Sequence, residues 1–148
     1  MHIVYISVSV YELLKRTVGT YLPESGAIIG SHIGDSTHIT KVWFDQSAGY
    51  GKKFYSPSCD EIYSVVKSWI EKQQQFVGII HSHNDGFPLL SPLNVCSASA
   101  IMRANQLHQL YLGLFHQGEL SMFEVHLNDD STSCRVEKVE CVIDYTLF

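Results

Sequence analysis

Phe76-Val77-Gly78-Ile79-Ile80-His81-Ser82-His83 is the stretch on which the reading of this chain turns. Phe76 to Ile80 is a compact apolar run of the kind that makes a buried strand, and two histidines follow it, two apart. Side chains alternate across a strand with period two, so His81 and His83 point the same way. Two imidazoles on one side of a strand end suit a single metal ion, and zinc is the usual choice for imidazole with oxygen ligands. Taken alone, the pair also fits two polar residues placed where a strand leaves the core, since short metal motifs match by chance.

Working outward, Ser91-Pro92 reads as a hydroxyl N-cap followed by proline at the first helical position, opening a helix that runs to about Ala104. Upstream, Ile62, Val65, Val66, Trp69 and Ile70 form a helical stripe, preceded by Ser58 with Glu61 three residues on, the pair of a capping box. Val10, Leu13, Leu14, Val18 and Leu22 predict an amphipathic helix from Val10 to about Tyr21, ending near Pro23. The strand candidates are His2 to Val8, Ala27 to Gly30, Ile39 to Phe44, Leu110 to Phe115, Leu120 to Leu127 and Val136 to Tyr145. Gly34-Asp35 and Gln117-Gly118 supply turns, while Asp45 to Lys53 and Asn128 to Ser133 read as loops. Strands and helices interleave without regular βαβ alternation. The expected fold class is therefore α+β, a single mixed β-sheet packed with helices, in one domain over residues 1–148.

Composition bounds the function. A chain of 148 residues buries a core without disulfide staples, and 45% hydrophobic with 17% charged residues is the range of a folded protein. Fifteen acidic against ten basic residues, a net charge of −5, argue against a groove that tracks nucleic acid. No apolar run approaches the ~18 residues that span a bilayer. Met1 to Val10 shows neither the basic region nor the small-residue cleavage site of a signal peptide. Cys59, Cys96, Cys134 and Cys141 lie far apart with no C-x-x-C pair, which fits reduced thiols. The expectation is a cytoplasmic protein whose partners are neither nucleic acid nor membrane.

One acid stands out before the short strand at Ala27: Glu24, in Pro23-Glu24-Ser25-Gly26-Ala27-Ile28-Ile29-Gly30. In chain order the sequence then reads Glu24, His81-Ser82-His83, seven residues, and Ser91-Pro92-Leu93-Asn94. This order resembles the JAMM motif of the JAB/MPN metalloprotease family: an upstream Glu, H-[ST]-H, seven residues, then S-x-x-D. The element order also resembles that family's core, from about His2 to Val125. The resemblance implies a cytidine-deaminase-like JAB/MPN core with Zn2+ as cofactor and His81 and His83 as metal ligands. It implies that Glu24 holds the catalytic water as general base and then passes the proton to the leaving amine. Ser91 would steady the oxyanion.

The implied activity is that of a zinc isopeptidase or peptidase cutting just after the terminal glycine of ubiquitin or a ubiquitin-like protein. The implied partner is that extended C-terminal tail or its conjugates, added as a strand at an exposed sheet edge. With only a loop at 45–56, where larger members carry insertions that select linkages, the chain is similar to small bacterial JAB proteins. Those are often found with ubiquitin-like conjugation machinery, antiphage defence systems included.

Asn94 departs from the pattern, which has an aspartate there as the third protein ligand to the metal. An amide oxygen can coordinate zinc but brings no charge. A natively weaker site, a substrate-binding pseudoenzyme and an engineered Asp-to-Asn change would each leave this residue. Asp85 sits in the loop rather than on the helix and is a poor substitute. The alternative function is a non-catalytic MPN scaffold; such modules usually lose the histidines too, and only Asn94 speaks for it. Zinc nucleobase deaminases need H-x-E followed by P-C-x-x-C, and the chain has neither. Singly, Glu24 also fits an exposed acid and Ser91 a plain helix cap. His2, His32, His38, His108, His116 and His126 lack metal-ligand spacing and are expected at the surface or partly buried.

Overall fold

The computed structural model describes residues 2–19, 25–45, 59–82, 90, 92–116, 118–129 and 133–146. The elements run β1 (Ile3–Ser7), α1 (Val8–Arg16), β2 (Gly26–His32), β3 (His38–Phe44), α2 (Cys59–Glu71), β4 (Gln74–Ser82), α3 (Pro92–Ala104), β5 (Gln109–His116), β6 (Glu119–Leu127) and β7 (Cys134–Asp144).

Local chemistry sets these boundaries. α1 begins two residues before the expected Val10 because Ser7, the last residue of β1, caps it by accepting the Val10 N–H at 3.4 Å. Strand thus passes directly into helix. α1 stops at Arg16, short of the expected Tyr21, where the Thr17 hydroxyl turns back to donate to the Leu13 carbonyl at 2.8 Å. Lys15 and Arg16 in its last turn, and Asp60 and Glu61 in the first turn of α2, match the helix dipole. The expected cap of α2, Ser58, lies outside the described residues. β5 and β6 pair up to His116 and Glu119, leaving a two-residue connection in which Gly118 takes φ +80°. Hairpin turns of that length demand positive φ, which glycine adopts without strain.

The fold class differs from the expectation. The seven strands close into a barrel in the order β1-β3-β2-β4-β5-β6-β7, rather than forming a single sheet with two edges of the deaminase-like kind. Closure comes from β1, which pairs in parallel with β3 and, from Ile3↔Glu140 to Ser7↔Asp144, with β7. β2 bends to allow it: its register slips beside Gly30 against both neighbours, and such bulges increase local twist. Every strand is thus bonded on both sides over at least part of its length. Closure shortens the free edge at which a substrate strand was expected to add, although β1 and β3 are paired only at Tyr5↔His38 and Ile6↔Ile39.

Alternation sorts the core onto two faces. Ala27, Ile29, Ile80 and Tyr111 pack with Val10, Leu14 and Val18, on and just beyond α1. Ile28, Ile79, Leu110 and Leu112 pack on the other face with Trp69 of α2 and Ala98 and Met102 of α3. α2 approaches so closely that a Cβ on Gly30 would lie 2.7 Å from Trp69 Cζ3 and 2.7 Å from the Gln75 carbonyl oxygen. The site described next lies on this second face, under α3. Among the described residues, no helix is long and apolar enough to cross a membrane.

Candidate functional site

β4 continues past Ile80, so His81 lies inside the strand, paired with Gly26 of β2 on one side and Leu114 of β5 on the other. It is buried, 3% exposed. Gly26 brings no side chain to this row. Ser82 then locks the strand end. Its backbone N–H donates to the Ser25 carbonyl at 3.0 Å, its Oγ accepts the Ser25 N–H at 3.1 Å, and the two hydroxyls stand 3.4 Å apart. Both serines are buried. The middle residue of His81-Ser82-His83 and the residue directly after Glu24, 57 positions apart, are therefore hydrogen-bonded neighbours.

α3 brings the second described component. Asn94, the third residue of α3, and His81 line one small cavity of about 50 Å³ together with Ser97 and the apolar Ile79, Ala98, Ile101 and Leu112. That volume holds a water molecule or an ion rather than a substrate. Beside it, sharing Ile79, Ser97 and Ile101, a cleft of about 430 Å³ lies over the sheet between α2 and α3, its apolar walls including Ile62, Val66 and Phe76. A minute chamber with a few polar groups in a mostly apolar lining, beside a larger apolar cleft, can hold one reacting atom while the rest of a ligand is bound outside it.

Of the five residues singled out by sequence, the structure brings His81 and Asn94 together. Glu24, His83 and Ser91 lie outside the described residues, as does Asp85. The donors that are described, one imidazole and one amide, suit zinc, although no three His, Cys, Asp or Glu side chains among the described residues are grouped to hold a metal.

Most other histidines lie at the opposite end of the strands. His2 Nδ1 contacts Glu124 at 2.6 Å and His126 Nε2 contacts the other oxygen of the same buried carboxylate. His32 Nδ1 meets the Gln74 amide at 2.6 Å, and His38 stacks on Tyr5 beside Asp35. In this region burial, with the Glu124 charge adding to it, pushes the Tyr111 phenol up to about 12; burial alone pushes the Cys141 thiol up to about 11.

His116 is different. It ends β5 at the His81 end of the barrel, and its Nε2 is buried without a hydrogen-bond partner among the described residues. Sequence reasoning passed over it because its signal is cross-strand register, which no local spacing carries.

No family model and no curated protein matches the chain. Among solved structures it is similar to the solution structure of the protein DSY2949 from Desulfitobacterium hafniense, with a TM-score of 0.70 and 17% identity. The likeness covers 97% of this chain and 94% of that one, and at such identity it speaks for the fold alone.

Proposed function

We propose that the chain is a JAMM-type zinc isopeptidase or peptidase, cytoplasmic, that cuts after the terminal glycine of a ubiquitin-like tail. The observation that carries this reading is the Ser25–Ser82 pair. A chance match of scattered residues gives no reason for the chain next to the upstream acid to be bonded to the middle of the H-S-H stretch. The shared cavity of His81 and Asn94, the last position of the motif, adds to it.

In this reading His81, His83 and Asn94 hold the ion. Zinc, when bound, supplies Lewis acidity, lowering the pKa of a water in its shell from 15.7 to about 7 and polarising a carbonyl. Glu24 takes the proton of the attacking water and delivers it to the nitrogen that leaves as the C–N bond breaks. The Ser91 hydroxyl donates to the oxyanion. The buried walls around His81 keep bulk water away, so each of these interactions is stronger than in solution. In this reading the tail lies along the apolar cleft between α2 and α3. Asn94 leaves the site one negative charge short of the motif's aspartate, which weakens zinc and slows turnover while leaving the cleft untouched.

The test is cleavage of a ubiquitin-like fusion by this chain and by Asn94→Asp at equal, saturating zinc, alongside binding of the uncut fusion. Both variants bind, and Asn94→Asp cleaves faster by at least the ~10-fold typical of altered outer-shell partners. Equal rates overturn the account of Asn94. If neither protein cleaves or binds, the peptidase reading fails. Binding without cleavage by either favours the scaffold reading, for which Asn94 is the supporting observation.

A further inference from the structure

We infer that His116 is a further ligand for the metal that His81 helps to hold, adding an imidazole to a site where Asn94 brings no charge. The inference rests on the zinc reading of the site. Three observations lead to it. First, register: His81 pairs with Leu114 in the parallel β4–β5 ladder, and His116 is two residues on. Adjacent strands lie about 4.8 Å apart and a parallel strand rises about 3.3 Å per residue, which sets the two histidine Cα atoms about 8 Å apart. Imidazoles at that spacing on one face can converge on a single ion.

Second, face: Leu110 and Leu112 pack against α3, whereas Tyr111 and Phe115 pack on the α1 side. A Cβ on Gly113 would meet Ile80 and Leu120, which also belong to the α1 side. With no register shift along β5, the even positions through His116 share the α3 face on which His81 and Leu112 line the small cavity. Third, the ring itself: Nε2 is sequestered from water with no hydrogen-bond partner among the described residues. A buried polar nitrogen left this way costs stability unless an ion or an ordered water meets it. Nitrogen binds zinc at about 2.0–2.1 Å, and sets of three histidines are an established zinc environment. An imidazole here offsets part of the affinity that the neutral Asn94 amide costs the site.

The experiment measures zinc affinity by chelator competition for the full chain, His81→Ala, His116→Ala, His116→Cys and Asn94→Ala, with Co2+ absorption as a second readout. His116→Ala is expected to lose at least ~10-fold in affinity, more than Asn94→Ala, while its metal-free melting is unchanged or higher. His116→Cys restores binding and adds a thiolate-to-cobalt charge-transfer band, which a merely structural role would not produce. If His81→Ala loses zinc and neither His116 variant differs from the parent, with no new band, the inference is overturned and the site reading stands. Zinc binding unaffected by His81→Ala overturns the site reading itself. Should His116→Ala fail to fold, the cobalt band of His116→Cys decides alone: present, it supports ligation; absent, it overturns it.

Discussion

Ser82→Ala tests the pairing that ties the two halves of the candidate site together. The substitution removes the acceptor of the Ser25 N–H, a bond of 3.1 Å between residues 1% and 5% exposed. Leaving a buried donor unsatisfied costs about 1–3 kcal/mol. Because alanine also spares the burial of a hydroxyl, the lower half of that range, about 1–2 kcal/mol, is expected. For a chain of this size each kcal/mol moves Tm by roughly 2–4 °C, so the metal-free protein should melt about 2–8 °C lower. Ser25→Ala is the matched control. Among the described residues it removes the longer hydroxyl contacts, 3.4 Å to Ser82 Oγ and 3.5 Å to the Val18 carbonyl, and keeps the N–H bond. It should cost less than Ser82→Ala. Urea unfolding of the two variants and the parent gives both values from changes in midpoint at constant slope. If Ser82→Ala lies within 0.5 kcal/mol of the parent, or Ser25→Ala costs more, the strand ends are not held as described, since substitutions away from such features stay within about that margin.

Gly30→Ala should destabilise by about 1–3 kcal/mol, the usual cost of overpacking, because its Cβ would meet the Trp69 ring and the Gln75 carbonyl at 2.7 Å each; denaturant unfolding that shows no loss would contradict the packing of α2. Gln106 holds φ +56° at the end of α3, where Leu107 N–H returns to the Met102 carbonyl at 2.8 Å. This is the left-handed position of a Schellman turn, so Gln106→Gly should raise stability by about 0.5–1 kcal/mol, and a loss on the same assay would refute the assignment. The Cys141 thiol ionises at about 11 when folded against 9.0 for an ordinary thiol. Unfolding therefore releases a proton between these values, and the stability associated with this thiol, full below pH 9, falls as pH rises toward 11. Stability measured across that window should fall less steeply for Cys141→Ala than for the parent, and an unchanged slope would count against the burial of the thiol.

Much of the fold could be read locally, and what could not has a physical reason. The apolar stripes of α2 and the run at Phe76 to Ile80 are short-range patterns, and the structure has a helix and a strand there. The first helix moved because the hydroxyl that begins it, Ser7, looked like the end of a strand, and it was both. Closure could not be read. Ile3↔Glu140 joins the two ends of the chain, and parallel pairing between distant segments leaves no turn signal in sequence. At the site, H-S-H spacing picked out His81, and the resemblance to the S-x-x-D end of the JAMM motif picked out Asn94; the shared cavity joins them. Ser25 went unnoticed because its role is a hydrogen bond across 57 residues, and His116 because only the β4–β5 register puts it beside His81.

Anomalous diffraction at the zinc edge, from crystals of the full chain grown with zinc, tests the central claim most directly. The account predicts one strong peak beside α3, about 2.0–2.1 Å from a ring nitrogen of His81 and next to the cavity that Asn94 lines. No peak at His81, or a principal peak at the far end of the barrel between His2, Glu124 and His126, would contradict it.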